Sequence, residues 1–155
     1  MKVSKILHFV NLALAGTLTG NEFGTLSAVH PALEGLGPAE RIRAEQEVTR
    51  RFGAIMPFWM GTTVISCILA TLSARGSAGF GRTLLGAACF VAMLVSTRLG
   101  NVPINDRIVE MDPERDQEEF VELRRRWNRL HAMRVGLDVA GLAFLVSGAL
   151  ADDRQ

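Results

Sequence analysis

The sequence predicts an all-α integral membrane protein: a bundle of four spanning helices, with spans two and four extended beyond the bilayer on one side. Three observations predict it. The 155 residues alternate between long apolar runs and stretches dense in Arg and Glu, so that 48% hydrophobic and 21% charged residues coexist in one chain. Each apolar run approaches the ~20 residues a helix needs to cross a hydrocarbon core. Alternating strands of the kind that build a barrel are absent, which leaves helices to satisfy the backbone in a bilayer.

The spans fall at about 6–29, 53–74, 83–102 and 135–151 within one domain covering 1–155. The first begins after Met1-Lys2-Val3-Ser4-Lys5, with a small-residue Ala13-Leu14-Ala15 that resembles a signal-peptide cleavage site. Its apolar stretch is short, holds His8 and Asn11 and continues to Val29, so it is read as a retained helix. Gly16, Gly20 and Gly24 lie four apart and predict a small-residue packing face. Arg75–Arg82, with Gly76, Gly79 and Gly81, reads as a tight turn between spans two and three.

The other connections look helical. Pro38 suits the first position of a helix, and Ile42, Val48, Phe52, Ile55 and Trp59 form an apolar stripe running into span two. Asp112-Pro113 suits an N-cap and first turn, after which Phe120, Leu123, Trp127, Leu130 and Arg134 recur at steps of three and four. That helix would run ~38 residues, or ~57 Å, and outreach a ~30 Å hydrocarbon core.

The Arg-rich first and third loops favour a cytoplasmic position for those loops, whereas Lys2 and Lys5 argue the opposite. The expected location is a bacterial inner membrane. The net charge of +1 gives no reason to expect a nucleic-acid partner. Cys67 and Cys89 sit inside apolar runs, outside any CxxC pattern, and read as packing residues.

Polar residues of the apolar runs concentrate at one end of the bundle. Span one brings Asn21, Glu22 and then His30-Pro31; span three brings Arg98, Asn101 and Asn105, with Pro103 expected to break the helix; span four brings His131, Arg134 and Asp138. The opposite end offers only Lys5, His8, Asn11, Arg75, Arg82 and the Asp152-Asp153-Arg154 tail. Ionisable groups in a bilayer are costly, so Glu22 is expected to pair with Arg98 or Arg134. Either the cluster pins the helices together or it lines a pocket. In a pocket, a neutral His can act as general base while Arg and Asn hold an anionic oxygen. Alternatively Glu22, His30 and His131 form a carboxylate–imidazole set for iron or copper, although no HxxxH or HExxH spacing supports it.

Several of these residues resemble a known family. Pro103-Ile104-Asn105-Asp106-Arg107-Ile108, Trp127-x3-His131-x2-Arg134, and Gly16, Gly20 with His30-Pro31-Ala32-Leu33 are similar to motifs of the anthrone oxygenase-like family of small four-span proteins. The likeness runs over nearly the whole chain. It implies a membrane-embedded oxygenase that oxidises an aromatic or other lipophilic substrate with molecular oxygen and has no nucleotide-binding motif; a cofactor-free site suits that chemistry. By motif position it assigns catalysis to His131, Arg134 and Asn105, and substrate contact to Trp127 and His30. Asn101, Arg98 and Glu22 join the substrate set on the geometric argument alone. Expected partners are a lipophilic small molecule, oxygen and the lipid bilayer, with a homo-oligomer compatible with the sequence. The competing class is a non-enzymatic membrane protein, such as a lipophile binder, a transporter subunit or a partner of a larger complex. A cavity between Arg98, Arg134, His131 and Glu22 discriminates the two classes.

Overall fold

The computed structural model describes residues 3–152, which are helical over most of their length. Lys2 and the Asp153-Arg154 end of the tail lie outside the described residues. Four long helices follow one another. α1 runs over 3–33 as an α-helix Val3–Gly24, one π-helical turn Thr25–Val29 and a last α turn His30–Leu33. α2 is Pro38–Ser73. α3, Phe80–Glu110, also contains a π turn, Thr97–Asn101. α4 is Gln117–Asp152. Packing closes a ring: α1 on α2, α2 on α3, α3 on α4 and α4 on α1.

By length and composition α2, α3 and α4 are each able to cross a membrane, which points to an integral membrane protein. α1 falls outside that group, diluted by Lys5, His8, Asn11, Asn21 and Glu22. The outer surface agrees: Phe9, Phe58 and Leu99 are each more than 70% exposed, and many Ile, Leu and Val side chains accompany them. A protein surrounded by water rarely leaves so continuous an apolar surface uncovered.

Local chemistry explains the boundaries. Pro38 opens α2 as expected, its missing N–H falling where no intrahelical partner exists. Gly76 sits within the α2–α3 turn with φ +82°, a conformation that favours glycine. The start of α4 differs from expectation. Asp112-Pro113 forms a separate turn, in which Asp112 accepts the Glu114 N–H, and the helix begins only at Gln117. Asp116 holds that junction: its carboxylate accepts hydrogen bonds from Arg115 and from the Asp112 N–H, which keep it below the usual carboxylate range.

Pro103 does not break α3. The chain stays helical on both sides, and the π turn Thr97–Asn101 precedes the proline by two residues. The sequence His30-Pro31 in α1 follows its π turn in the same register. A proline ring clashes with the carbonyl four residues back in an α-helix; a π turn widens the spiral there and moves that carbonyl away.

The core has two apolar parts. One gathers Ala15, Leu18, Met60, Val64, Cys67, Ala87, Phe90, Met93 and Leu145. The other gathers Ile42, Ile104, Ile108, Met111, Phe120 and Trp127 toward the arms. Both cysteines are free, and the Cys67 thiol donates to Asn11 Oδ1 at 3.1 Å. The Phe120–Arg134 stripe of α4 faces inward, whereas the α2 stripe is not one face, since Ile55 is 57% exposed. The glycine expectation also needs correction. A Cβ at Gly16, Gly20 or Gly24 would meet nothing within 4 Å. The close approach is at α3–α4 instead: a Cβ at Gly86 would lie 2.7 Å from Leu145 Cγ, and one at Gly148 2.5 Å from Thr83 Oγ1. Gln46 of α2 ties the end of α3 down by donating to the carbonyls of Ile108 and Met111 at 3.0 and 2.9 Å.

Candidate functional site

Between the two apolar parts lies a buried polar layer drawn from all four helices. Glu22 of α1 accepts a hydrogen bond from the Arg134 guanidinium of α4, with both side chains at most 6% exposed. This is the partner expected for Glu22; Arg98, the other candidate, makes no ion pair among the described residues and is exposed. His131, one turn before Arg134, places Nδ1 3.2 Å from Glu22 Oε2. That approach lies off the hydrogen-bond direction, so neither ring nitrogen of His131 has a hydrogen-bond partner.

A second pair stands beside the first. His30 Nδ1 is 3.2 Å from Glu45 Oε1, and Arg124 reaches the same oxygen at 3.4 Å. The two pairs are joined by rings. Trp127 stacks on His131 with centroids 4.5 Å apart, meets His30 edge-on at 4.7 Å, and has the Arg124 guanidinium carbon 4.2 Å from its ring centroid. The indole N–H donates to Asn105 Oδ1 at 2.7 Å, and Asn101 reaches the Trp127 carbonyl at 3.5 Å. Trp127 is thereby fixed in plane and position, and it fixes both imidazoles in turn.

A cavity of about 130 Å³ opens against this layer. Glu22, His30, Arg124, Trp127, His131 and Arg134 line its polar side, and Val48, Phe52, Met56 and Met60 of α2, spaced by four, line its apolar side. Of the lining residues, Gly53, Pro57 and Arg98 are exposed, which places the mouth between α2 and α3. Arg98 and Asn105 both line the cavity, as the sequence suggested; Asn101 does not, being turned toward the Trp127 backbone. The pocket required for the binding or catalytic reading is therefore present.

Two members of the site, Glu45 and Arg124, were not legible as such. Both lie in Arg- and Glu-rich arms and look like solvated charges. The signal was their register: Glu45 falls three residues after the buried Ile42, and Arg124 lies between Phe120 and Trp127 on the inward stripe. For the proposed metal set, the imidazoles of His30 and His131 stand 6.0 Å apart, and the Glu22 carboxylate is engaged by Arg134. Among the described residues no three His, Cys, Asp or Glu side chains converge as a metal-holding group.

The fold and site define a helical membrane-type protein with an enclosed imidazole–guanidinium–carboxylate layer opening on an apolar cavity. The family model described as anthrone oxygenase matches residues 48–144, and the chain belongs to that family. The matched stretch holds Asn105, Trp127, His131 and Arg134. Glu22, His30 and Glu45 precede it, so the first-helix likeness seen in the sequence lies outside the matched residues. No curated protein and no solved structure matches the chain.

Proposed function

We propose that the chain is a four-span membrane oxygenase, with α2 and α4 extended past the bilayer, that oxidises a lipophilic aromatic substrate with molecular oxygen. The observation that carries this reading is His131: a 1% exposed imidazole on the cavity wall, both nitrogens without a hydrogen-bond partner, held in place by Trp127. Family membership supplies the reaction class.

His131 takes a proton from an activated ring methylene. The resulting anion is held by Arg134 and Asn105, whose polar groups flank the cavity. An electron-rich carbanion of this kind reduces oxygen directly. Addition of oxygen at that carbon and return of the proton gives a hydroperoxide, which loses water to leave the ketone. One oxygen atom thus enters the product and the other leaves as water. The apolar α2 face excludes bulk water from the anion.

A second reading of the base rests on the His30–Glu45 contact. A carboxylate on Nδ1 fixes the tautomer and leaves Nε2 to accept a proton, an arrangement common to general bases. The two are separated by His131→Ala and His30→Ala variants assayed for oxygen uptake and product. The base variant should lose about 10²–10⁴-fold in turnover. Unchanged turnover in His131→Ala refutes the first assignment. Iron or copper held by Glu22, His30 and His131 makes a different forecast: chelation abolishes activity, and the metal content of the purified protein falls in the Glu22→Ala variant. A lipophile binder would show saturable ligand binding with no oxygen uptake.

A further inference from the structure

We propose that Arg98 makes this pocket selective for an aromatic acid, seated with its ring inside the cavity and its carboxylate at the mouth. The inference deepens the proposed function by naming a substrate class and rests on the same pocket.

Charge pairing comes first. Three guanidinium groups line the cavity. Arg134 is engaged by Glu22 and Arg124 by Glu45. Arg98 lines the same wall and has no acidic partner among the described residues. The exposed Arg125 and Arg126, on the same helix as Arg124, do not line this cavity. The pocket therefore presents one cation without an acidic partner among the described residues, in a lining that also holds the apolar Leu94, Val102 and Met56. A planar guanidinium there favours a ligand bearing a planar oxyanion, which it can meet with two parallel hydrogen bonds.

Size gives the orientation. A cavity of ~150 Å³ accommodates benzene, so the 130 Å³ enclosed here takes about one ring. A larger ligand must project through the opening between α2 and α3, where Gly53 and Pro57 carry little side chain and Arg98 stands at the rim. At the enclosed end the Arg134 and Arg124 guanidiniums each already face a carboxylate, Glu22 and Glu45, so the uncompensated positive charge that a permanently ionised carboxylate needs is found only at Arg98 among the lining residues. The acid group is thus directed to the mouth and the ring toward His131 and Trp127.

The test is equilibrium binding of 2-naphthoate and of its uncharged isostere 2-naphthamide to the purified full chain in zwitterionic lipid nanodiscs. The wild-type protein should bind the acid about tenfold more tightly than the amide. Arg98→Gln should abolish that preference by weakening the acid alone, and Arg98→Lys should restore part of it. Equal binding of the two probes, binding of neither, or a preference that survives in Arg98→Gln overturns the proposal. A lipid headgroup is the other source of oxyanion. If anionic lipid added to the nanodisc removes the acid preference and Arg98→Gln reduces anionic-lipid retention, Arg98 serves the bilayer and the proposal falls. The readout is binding, and 2-naphthoate carries no ring methylene for His131 to deprotonate, so its outcome decides the Arg98 assignment alone; the oxygenase reading stands or falls separately, on the oxygen-uptake assay of the His131 and His30 variants.

Discussion

Replacing Glu22 by Gln tests how the polar layer is held. The variant keeps the shape and an acceptor oxygen for Arg134 but removes the carboxylate charge paired with that guanidinium. Both groups are nearly sealed from solvent, at 2% and 5% residue exposure. Breaking such a pair from one side leaves an uncompensated buried charge and costs about 3–5 kcal/mol. Against a total stability of about 5–15 kcal/mol that is a large fraction. For a chain of this length the unfolding midpoint should drop by roughly 6–20 °C. Thermal unfolding of the purified protein in detergent, followed by circular dichroism, measures it. Removing both charges should undo most of the loss, because an apolar pair of similar volume is often neutral or stabilising. A Glu22→Leu/Arg134→Met double variant should therefore unfold well above Glu22→Gln, with a coupling energy of opposite sign to the single losses. A Glu22→Gln midpoint within a degree of the parent would refute the reasoning, as would a double variant no better than the sum of its singles.

Other outcomes follow from the same geometry. Gly86→Ala and Gly148→Ala drive a Cβ into contacts of 2.7 and 2.5 Å at the α3–α4 seam and should each cost about 1–3 kcal/mol of stability, whereas Gly16→Ala and Gly20→Ala, with open space around the new methyl, should be neutral or slightly stabilising in the same unfolding assay. Gly53→Leu adds a side chain at the cavity mouth where nothing lies within 4 Å, so it should fold normally and weaken ligand binding by tenfold or more in titrations. Trp127→Phe keeps the ring on His131 but removes the hydrogen bond to Asn105 at 2.7 Å, and turnover should fall several-fold with little change in the unfolding midpoint.

The helical, membrane-type architecture was legible because hydrocarbon demands length and apolarity, and both are written directly in the chain. The Glu22–Arg134 pair was legible for the same reason: a lone acid in an apolar run stands out. Register was harder to read. Pro103 looked like a helix break because sequence alone does not display the π turn that accommodates its ring. Gly16, Gly20 and Gly24 matched a packing motif, but which glycines meet a neighbour depends on how the helices rotate against one another, and the close contacts fell to Gly86, Gly141 and Gly148. Glu45 and Arg124 were lost among like residues in arms where most charges are solvated. His30 was assigned to substrate contact by motif position alone; its place in the interior, at 5% exposure, could not be read from helical periodicity.

That last placement follows from the π turn of α1. Inward positions on this helix step by three and four through Asn11, Ala15, Leu18, Glu22 and Thr25, a rhythm that would next bring Ala28 or Val29 inward. Both are exposed, and His30 is buried instead. The π turn acts as a one-residue insertion, and each residue of an α-helix turns the chain by roughly 100°. The imidazole reaches Glu45 because of that added residue. Deleting one residue between Thr25 and Val29 would let the segment relax to a plain α-helix and move His30 into the inward place that Val29 holds in that rhythm, so the imidazole would stay in the layer. In this protein, then, backbone winding is as much a determinant of the site as side-chain identity: the same residues wound as a plain α-helix, with none deleted, would turn His30 out of the layer by roughly 100°.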